Sequence, residues 1–316
     1  MDKDTIKTLP WIERFRPKKI EEIISQENAR HIINNNNFSY LLLYGPPGTG
    51  KTSIIEAYIN KEYGEDIFHM VLSINTSEER GIDVIRNKIN KFTSVIGFNT
   101  TRKRLVILDE VDAMTIDAQL ILKNTLDESN GVNFCLICNY LKKIIPEIQS
   151  RCVLIKFSAL NFEQIKKKIL MIANKIKFKI NDEGIQLIYI ISKGDMRKAI
   201  NILQSTYMSY ENNIDDEKVA TCYSYPIHND IIKIYNWINE LTIKECHRNL
   251  IKLFEKKGYS LIDIVTELGT YITQLYITDK ITNDKYKKHI NNLHLLELNL
   301  SVCNFDMIQT GGLISI

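Results

Sequence analysis

The run Gly45-Pro-Pro-Gly-Thr-Gly-Lys51-Thr52 has the form G-x-x-x-x-G-K-[ST] and lies between a short apolar stretch and a helix-like one. That pattern in that context reads as a phosphate-binding loop. Gly45, Pro46, Pro47, Gly48, Thr49 and Gly50 form a loop whose backbone N–H groups can turn inward as a nest for the β-phosphate. The helix starting at Lys51, with Thr52 and Ser53 in its first turn, adds the positive potential of its N-terminus. Lys51 is placed to reach the β- and γ-phosphates, and the Thr52 hydroxyl to bind Mg²⁺. The predicted ligand is a nucleoside triphosphate with its metal. The bland alternative is a glycine-rich turn before an ordinary helix, which would not require all of these spacings.

A second acidic element completes that chemistry. Leu105-Val-Ile-Leu108 delivers Asp109-Glu110 to the C-terminal end of a strand, the edge at which open parallel sheets bind ligands. Asp109 would hold the metal, directly or through water, and Glu110 would polarise the attacking water as general base. Alone, the pair would read as solvated acids at a strand end.

These residues need a sheet to carry them. Tyr40–Tyr44, Met70–Ile74, Arg104–Leu108, Phe134–Cys138 and Val153–Phe157 are short apolar runs separated by helix-length segments, the pattern of βαβ units in a parallel sheet. After Phe157 the strands stop. Asn161–Lys177, Asp182–Ser192 and Asp195–Tyr210 read as amphipathic helices, with Asn161 and Asp182 as N-caps. From about Asn229 the chain again reads as helices. The expected fold is an α/β parallel-sheet phosphate-loop domain over residues 1–157, a helical lid over 158–222 and an all-α domain over 223–316. Lys166 to Lys168 and Lys175 to Lys179 read as solvated helix faces.

The composition allows this plan and excludes others. In 316 residues, 44% are hydrophobic and 25% charged, which rules out a wholly disordered or fibrous chain. The net charge of +3 does not announce nucleic acid, so a DNA surface would have to come from local placement of charge. No apolar run approaches the roughly 20 residues of a membrane span, and the polar start MDKDTIKTLP lacks a signal core. An intracellular chain is expected. Cys135 and Cys138 suggest zinc or redox chemistry by spacing, but on a strand they point to opposite faces. With Cys152, Cys222, Cys246 and Cys303 they read as reduced structural thiols.

Taken together, the phosphate loop and the Asp-Glu strand end resemble the AAA+ ATPases. Further motifs narrow the resemblance: Pro10-Trp-Ile-Glu-Arg-Phe-Arg-Pro17, Arg80-Gly-Ile-Asp83, Leu108-Asp-Glu-Val-Asp-Ala-Met-Thr115, Asn139-Tyr140, Ile148-Gln-Ser-Arg-Cys152 and Gly194-Asp-Met-Arg-Lys-Ala-Ile-Asn201. In this order they are similar to the small subunits of replication factor C, over roughly residues 10 to 205. The resemblance implies an ATP-hydrolysing subunit of a hetero-oligomeric clamp-loader ring, a pentamer, with ATP and Mg²⁺ bound between subunits and the C-terminal helices forming a collar. Its partners would be the other subunits, a sliding clamp and primer–template DNA, with no membrane. The setting would be the nucleus of a eukaryote, or the cytoplasm or viral replication site otherwise.

Site residues follow from the matched motifs. Asn139 corresponds to sensor 1, which orients the attacking water and the γ-phosphate. Alone it would be a turn-capping Asn. Arg197 corresponds to sensor 2, on the nucleotide's own phosphates, and alone would be a solvated helix arginine. Arg151 corresponds to the arginine finger, reaching the neighbour's ATP, and alone would be a surface residue before a strand. Ile12, Arg16 and Pro17 would pack around adenine and ribose. Arg80, Arg86 and Lys143 match the DNA-facing basic positions, where each could donate to a phosphate without reading sequence. Solvated surface charge is the alternative. Phe92, Ile96 and Phe98 match the clamp-docking segment, with at least one of these aromatics expected in the core instead. Val111 replaces the family's Ala and Phe15 its Tyr, and neither change removes a catalytic group. The competing readings are another AAA+ machine, such as a branch-migration motor, and a structural, non-hydrolysing ring subunit.

Overall fold

The computed structural model describes residues 9–23, 27–34, 38–78, 82–94, 103–128, 131–211, 213–302 and 306–314. Five strands form one sheet: β1 Tyr40–Tyr44, β2 Val71–Asn75, β3 Arg104–Asp109, β4 Val132–Cys138 and β5 Val153–Lys156. Their order is β2-β3-β4-β1-β5 and every pairing is parallel. Helices α1 Glu27–Asn34, α2 Lys51–Glu62, α3 Ile82–Ser94 and α4 Ile116–Glu128 connect or flank the strands.

Alternation along the strands divides the core in two. Leu41, Leu43, Leu105, Ile107, Cys135 and Ile137 face α1 and α2, packing with Ile33, Ile54, Ile55 and Tyr58. Leu42, Val106, Leu108, Phe134, Leu136 and Cys138 face the other way, onto Ile89 of α3 and Leu122 and Leu126 of α4. Both faces of the central strands β1, β3 and β4 are covered, so their middles are apolar, as burial on two sides requires, whereas the edge strands β2 and β5 are partly exposed. Cys135 and Cys138 indeed lie on opposite faces, both fully buried. Burial pushes the Cys138 thiol up to about 12 and Cys135 well above its ordinary value. Among the described residues no cluster of three His, Cys, Asp or Glu could hold a metal.

The strand order positions the site. β1 lies between β4 and β5, so the connection leaving β1 crosses toward β2 while that leaving β4 crosses the other way. The loops at the C-terminal ends of β1, β3 and β4 therefore open onto one crevice, where a parallel sheet takes its ligand.

Beyond the sheet come α5 Phe162–Ile176, α6 Asp182–Ser192 and α7 Met196–Tyr210, then α8 Asp216–Tyr223, α9 His228–Glu240, α10 Ile243–Lys257, α11 Leu261–Ile277, α12 Asn283–Val302 and α13 Asp306–Ile314. Asn161 caps α5 by accepting from Gln164 N, and Gln164 returns the bond to Asn161 N. The second cap differs from expectation. Asn181, one residue before Asp182, accepts from Gly184 N at 2.8 Å. A side chain must precede the first helical residue to reach the N3 amide.

The chain divides into two compact units, residues 1–176 with 189–204, and 177–188 with 205–316. The second has its own core, built from Ile231, Ile234, Leu250, Leu261, Ile264, Leu268, Leu293 and Leu296, with Trp237 and Tyr271 packed against it. A capping box between Thr242 and Glu245 opens α10, and Gly258, at φ 68°, ends it. No described helix is long and apolar enough to cross a membrane.

Candidate active site

The phosphate loop is seated by close approaches that only glycine permits. A Cβ on Gly45 would lie 2.0 Å from the Phe157 carbonyl oxygen, and one on Gly48 1.7 Å from Asp195 Oδ1. Gly48 O accepts from Met196 N at 3.2 Å, tying the loop to the first turn of α7. Gly50, at φ 94°, turns the chain into α2. Thr49 braces the loop by donating from Oγ1 to Pro46 O at 2.9 Å.

Lys51 is only 6% exposed. Its Nζ donates to Gly45 O at 2.7 Å, Pro46 O at 2.8 Å and Asn139 Oδ1 at 2.9 Å. Burial pulls its pKa down, against the pull of the Asp109 carboxylate. The ammonium is thus held at the mouth of the nest, cross-linked to the end of β4. Thr52 Oγ1 donates to Asp109 Oδ2 at 3.0 Å. A hydroxyl and a carboxylate converging from α2 and β3 are hard oxygen donors, the set that suits Mg²⁺.

Glu110 sits in the left-handed region, at φ 59° and ψ 37°, which costs a non-glycine residue roughly 1–2 kcal/mol. Thr76, just past β2, holds it there: its Oγ1 donates to Glu110 O at 2.8 Å and Asp109 O at 3.1 Å, and its N–H to Asp109 O at 3.0 Å. Asp112 steadies the other side, accepting from Asn139 N at 3.3 Å and Tyr140 N at 3.1 Å. The two acids and Asn139 therefore belong to one hydrogen-bonded rim.

Thr49, Lys51, Thr52, Asp109, Glu110 and Asn139 line a cleft of about 1120 Å³, counting its open mouth, together with Ile12, Arg16, Pro17, Pro47, Gly48, Gly50, Ser53 and Arg197. Every expected nucleotide contact is near this cleft or in the loop that forms it. Arg16 is anchored to α2, its Nε 2.8 Å from Glu56 Oε2. Burial raises the Glu56 carboxyl, and the Arg16 guanidinium opposes that shift. Phe15, Ile23, Leu160, Met196 and Ile200 also line the cleft, giving it apolar surface beside its charged groups.

One sequence expectation is overturned here. Lys168 is not on a solvated face. It is 5% exposed, lines the cleft, and donates from Nζ to Phe15 O at 2.8 Å. Burial lowers its pKa, with Glu22 opposing. Helical period was the available signal, because Lys168 shares a face with Ile165, Ile169 and Ile172, all buried.

Arg151 does not line the cleft. It is exposed and paired with Asp127 of α4 at 2.8 Å. Arg86 is exposed on α3, and Lys143 is exposed, its Nζ 5.2 Å from the Tyr140 ring centroid. Phe92 is half-buried against the sheet, with the Arg104 guanidinium over its ring. Arg80, Ile96 and Phe98 lie outside the described residues.

Residues 41–159 match the family model for the ATPase family associated with various cellular activities, and residues 226–315 that for the replication factor C C-terminal domain. The probable replication factor C subunit 5 of Dictyostelium discoideum is 38% identical over 99% of this chain and 92% of its own length. The chain belongs to the replication factor C family. Human replication factor C subunit 5 is likewise 38% identical, over 98% of this chain and 92% of its length, and subunit 3 of Saccharomyces cerevisiae is 32% identical over 99% and 94%. Among solved structures, the Thermotoga maritima RuvB Holliday junction branch migration motor superposes with a TM-score of 0.53 at 16% identity, over 75% of this chain and 85% of its own. That likeness is one of fold, and the branch-migration reading is not favoured. As a replication factor C family member with an AAA domain, the chain is a nucleotide-binding ATPase.

Proposed function

We propose that this chain is an ATP-hydrolysing small subunit of a clamp loader, acting in a hetero-oligomeric ring that opens a sliding clamp and places it on primer–template DNA. The observation that carries this is the Lys51 and Thr52 cross-bracing: one helix turn binds the sensor asparagine through Nζ and the Asp109 carboxylate through Oγ1. A subunit kept only as an interface would have no need of a buried cation whose burial opposes its charge.

In this reading the nest and Lys51 hold the β- and γ-phosphates, Arg197 contacts them from α7, and the apolar lining of the cleft takes the adenine beside Ile12 and Pro17. Thr52 and Asp109 would hold Mg²⁺, which offsets negative charge on the phosphate oxygens. Glu110 accepts a proton from the attacking water, and Asn139 orients that water. Arg151 serves the neighbouring subunit's site, supplying positive charge where it develops in the transition state. Arg80, Arg86 and Lys143 face DNA phosphates, and the segment holding Phe92, Ile96 and Phe98 meets the clamp. Residues 1–157 are the motor, 158–222 the lid and 223–316 the collar. The likeness to replication factor C subunits of eukaryotes supports a nuclear setting.

The test is ATP hydrolysis by the assembled complex with and without clamp and primed DNA. A clamp-loading subunit gives a rate that rises when both are added and collapses with Glu110→Gln in this chain. Hydrolysis indifferent to clamp and DNA would point to another AAA+ machine. A complex indifferent to Glu110→Gln would make the chain a structural subunit.

A further inference from the structure

Arg151 is held by more hydrogen bonds than a surface arginine needs. Its Nε donates to Asp127 Oδ1 at 2.8 Å, its Nη2 to Asp127 Oδ2 at 3.1 Å, and its Nη1 to Glu147 O at 2.8 Å. A guanidinium has five N–H donors in a rigid plane. Three are committed, leaving one N–H on each terminal nitrogen for further acceptors such as phosphate oxygens. Stability does not explain the arrangement, because the two side chains are 32% and 46% exposed and ion pairs in water add little. Lys123 Nζ, one helical turn before Asp127 and 3.7 Å from its Oδ2, counters the carboxylate's negative field. The Arg151 hydrogen bond holds the Asp127 carboxyl below its usual range, so the pair stays ionised at neutral pH.

We propose that Asp127 is a positioning residue for the trans-acting Arg151, clamping one edge of the guanidinium so that its free edge is presented to the neighbouring subunit's phosphates. This rests on the reading of Arg151 as an arginine finger. The chemical gain is preorganisation: a long, freely rotating side chain loses its freedom before the transition state, not during it. Asp127 itself touches no nucleotide, so its effect appears in the turnover of the adjacent site and not in this subunit's own nucleotide binding.

The experiment uses the assembled complex carrying, in this chain, Arg151→Ala, Asp127→Asn, Asp127→Glu or the Arg151→Ala/Asp127→Asn pair, with co-assembly checked by gel filtration. Steady-state hydrolysis gives kcat and KM, and a fluorescent nucleotide reports binding to this subunit. Asp127→Asn turns an amide N–H₂ toward a donor and should remove at least half of the hydrolysis that Arg151→Ala removes. KM and this subunit's own affinity should stay within about two-fold. Asp127→Glu, which keeps the carboxylate, should restore most of the loss, and the double variant should be no slower than Arg151→Ala alone. Full activity in Asp127→Asn beside a slow Arg151→Ala would overturn the positioning role while leaving the finger intact. Faster hydrolysis in Asp127→Asn would also overturn it, making Asp127 a restraint. If Arg151→Ala itself is fully active, the finger reading fails instead.

Discussion

Burial holds the Lys51 ammonium below its ordinary pKa, with Asp109 opposing the shift. A lysine whose folded pKa is lowered costs stability while protonated, and that cost is relieved only as pH rises through the folded pKa toward the unfolded value near 10.5. Lys51→Ala should therefore abolish the resulting rise in melting temperature with pH, while also removing the three hydrogen bonds that Nζ donates. Nucleotide binding or turnover should fall by on the order of 10² or more, the scale of losing one group that stabilises phosphoryl charge. A nucleotide titration beside circular-dichroism melts across pH checks both; unchanged affinity and unchanged hydrolysis would sink the phosphate-loop assignment. Lys168 makes a separable contribution, securing through Phe15 O the segment that carries Ile12, Arg16 and Pro17, which take the base in the proposed function. A charged hydrogen bond of this kind contributes about 1.5–3 kcal/mol to the folded state, so Lys168→Met, by loosening that segment, should weaken ATP and ADP by at most about 10–100-fold and to the same degree, because the γ-phosphate is not involved. A loss confined to ATP would place Lys168 with the phosphates instead.

At the scale of elements, β4 ties chemistry to packing. It leads into Asn139 at the cleft, while Cys135 and Cys138 fill the two cores on its opposite faces. Cys152, just before β5, has its thiol pushed up to about 11 by burial. Only the thiolate reacts, so at pH 8 Cys152 should alkylate about 100-fold more slowly than a free thiol, and Cys138, at about 12, about 1000-fold more slowly. Mass spectrometry of peptides from folded and urea-unfolded protein after an iodoacetamide pulse measures this, and equal labelling in the two states would refute the buried assignment. The strands, the phosphate loop and the acids were legible in the sequence because phosphate chemistry admits few residue types at few spacings. The order of the strands was not: five short apolar runs are equivalent until tertiary packing sets β1 between β4 and β5. Lys168 escaped because a run of three lysines looks solvated until each is placed on its helix face. Asp127 escaped because its partner is 24 residues away in the chain, and nothing local in an exposed aspartate announces it. The Asn181 cap differs from Asp182 by the single residue that boundary reading cannot resolve.

For the whole molecule, the net charge of +3 leaves any grip on DNA to a few placed cations. Arg86 is exposed on α3 and Lys143 is exposed beside Tyr140, whose ring restrains its ammonium. With Arg80 these are phosphate-binding cations in the proposed function, and contacts to phosphate carry no sequence information. Each cation that neutralises a phosphate and displaces a counterion contributes about 0.9 to the log–log dependence of affinity on salt. Replacing Arg80, Arg86 and Lys143 together by Ala should therefore weaken binding of the assembled complex to primed DNA equally for different sequences. The salt slope should also flatten by up to about 0.9 for each phosphate no longer neutralised. Affinity measured at several salt concentrations on two unrelated primer–templates decides it. A weaker complex with an unchanged slope would mean that the substitutions acted through folding or assembly, since removing a cation that neutralises a phosphate must reduce the number of ions released. An unchanged affinity and slope would return all three to solvated surface charge and put the DNA path on another face of the ring.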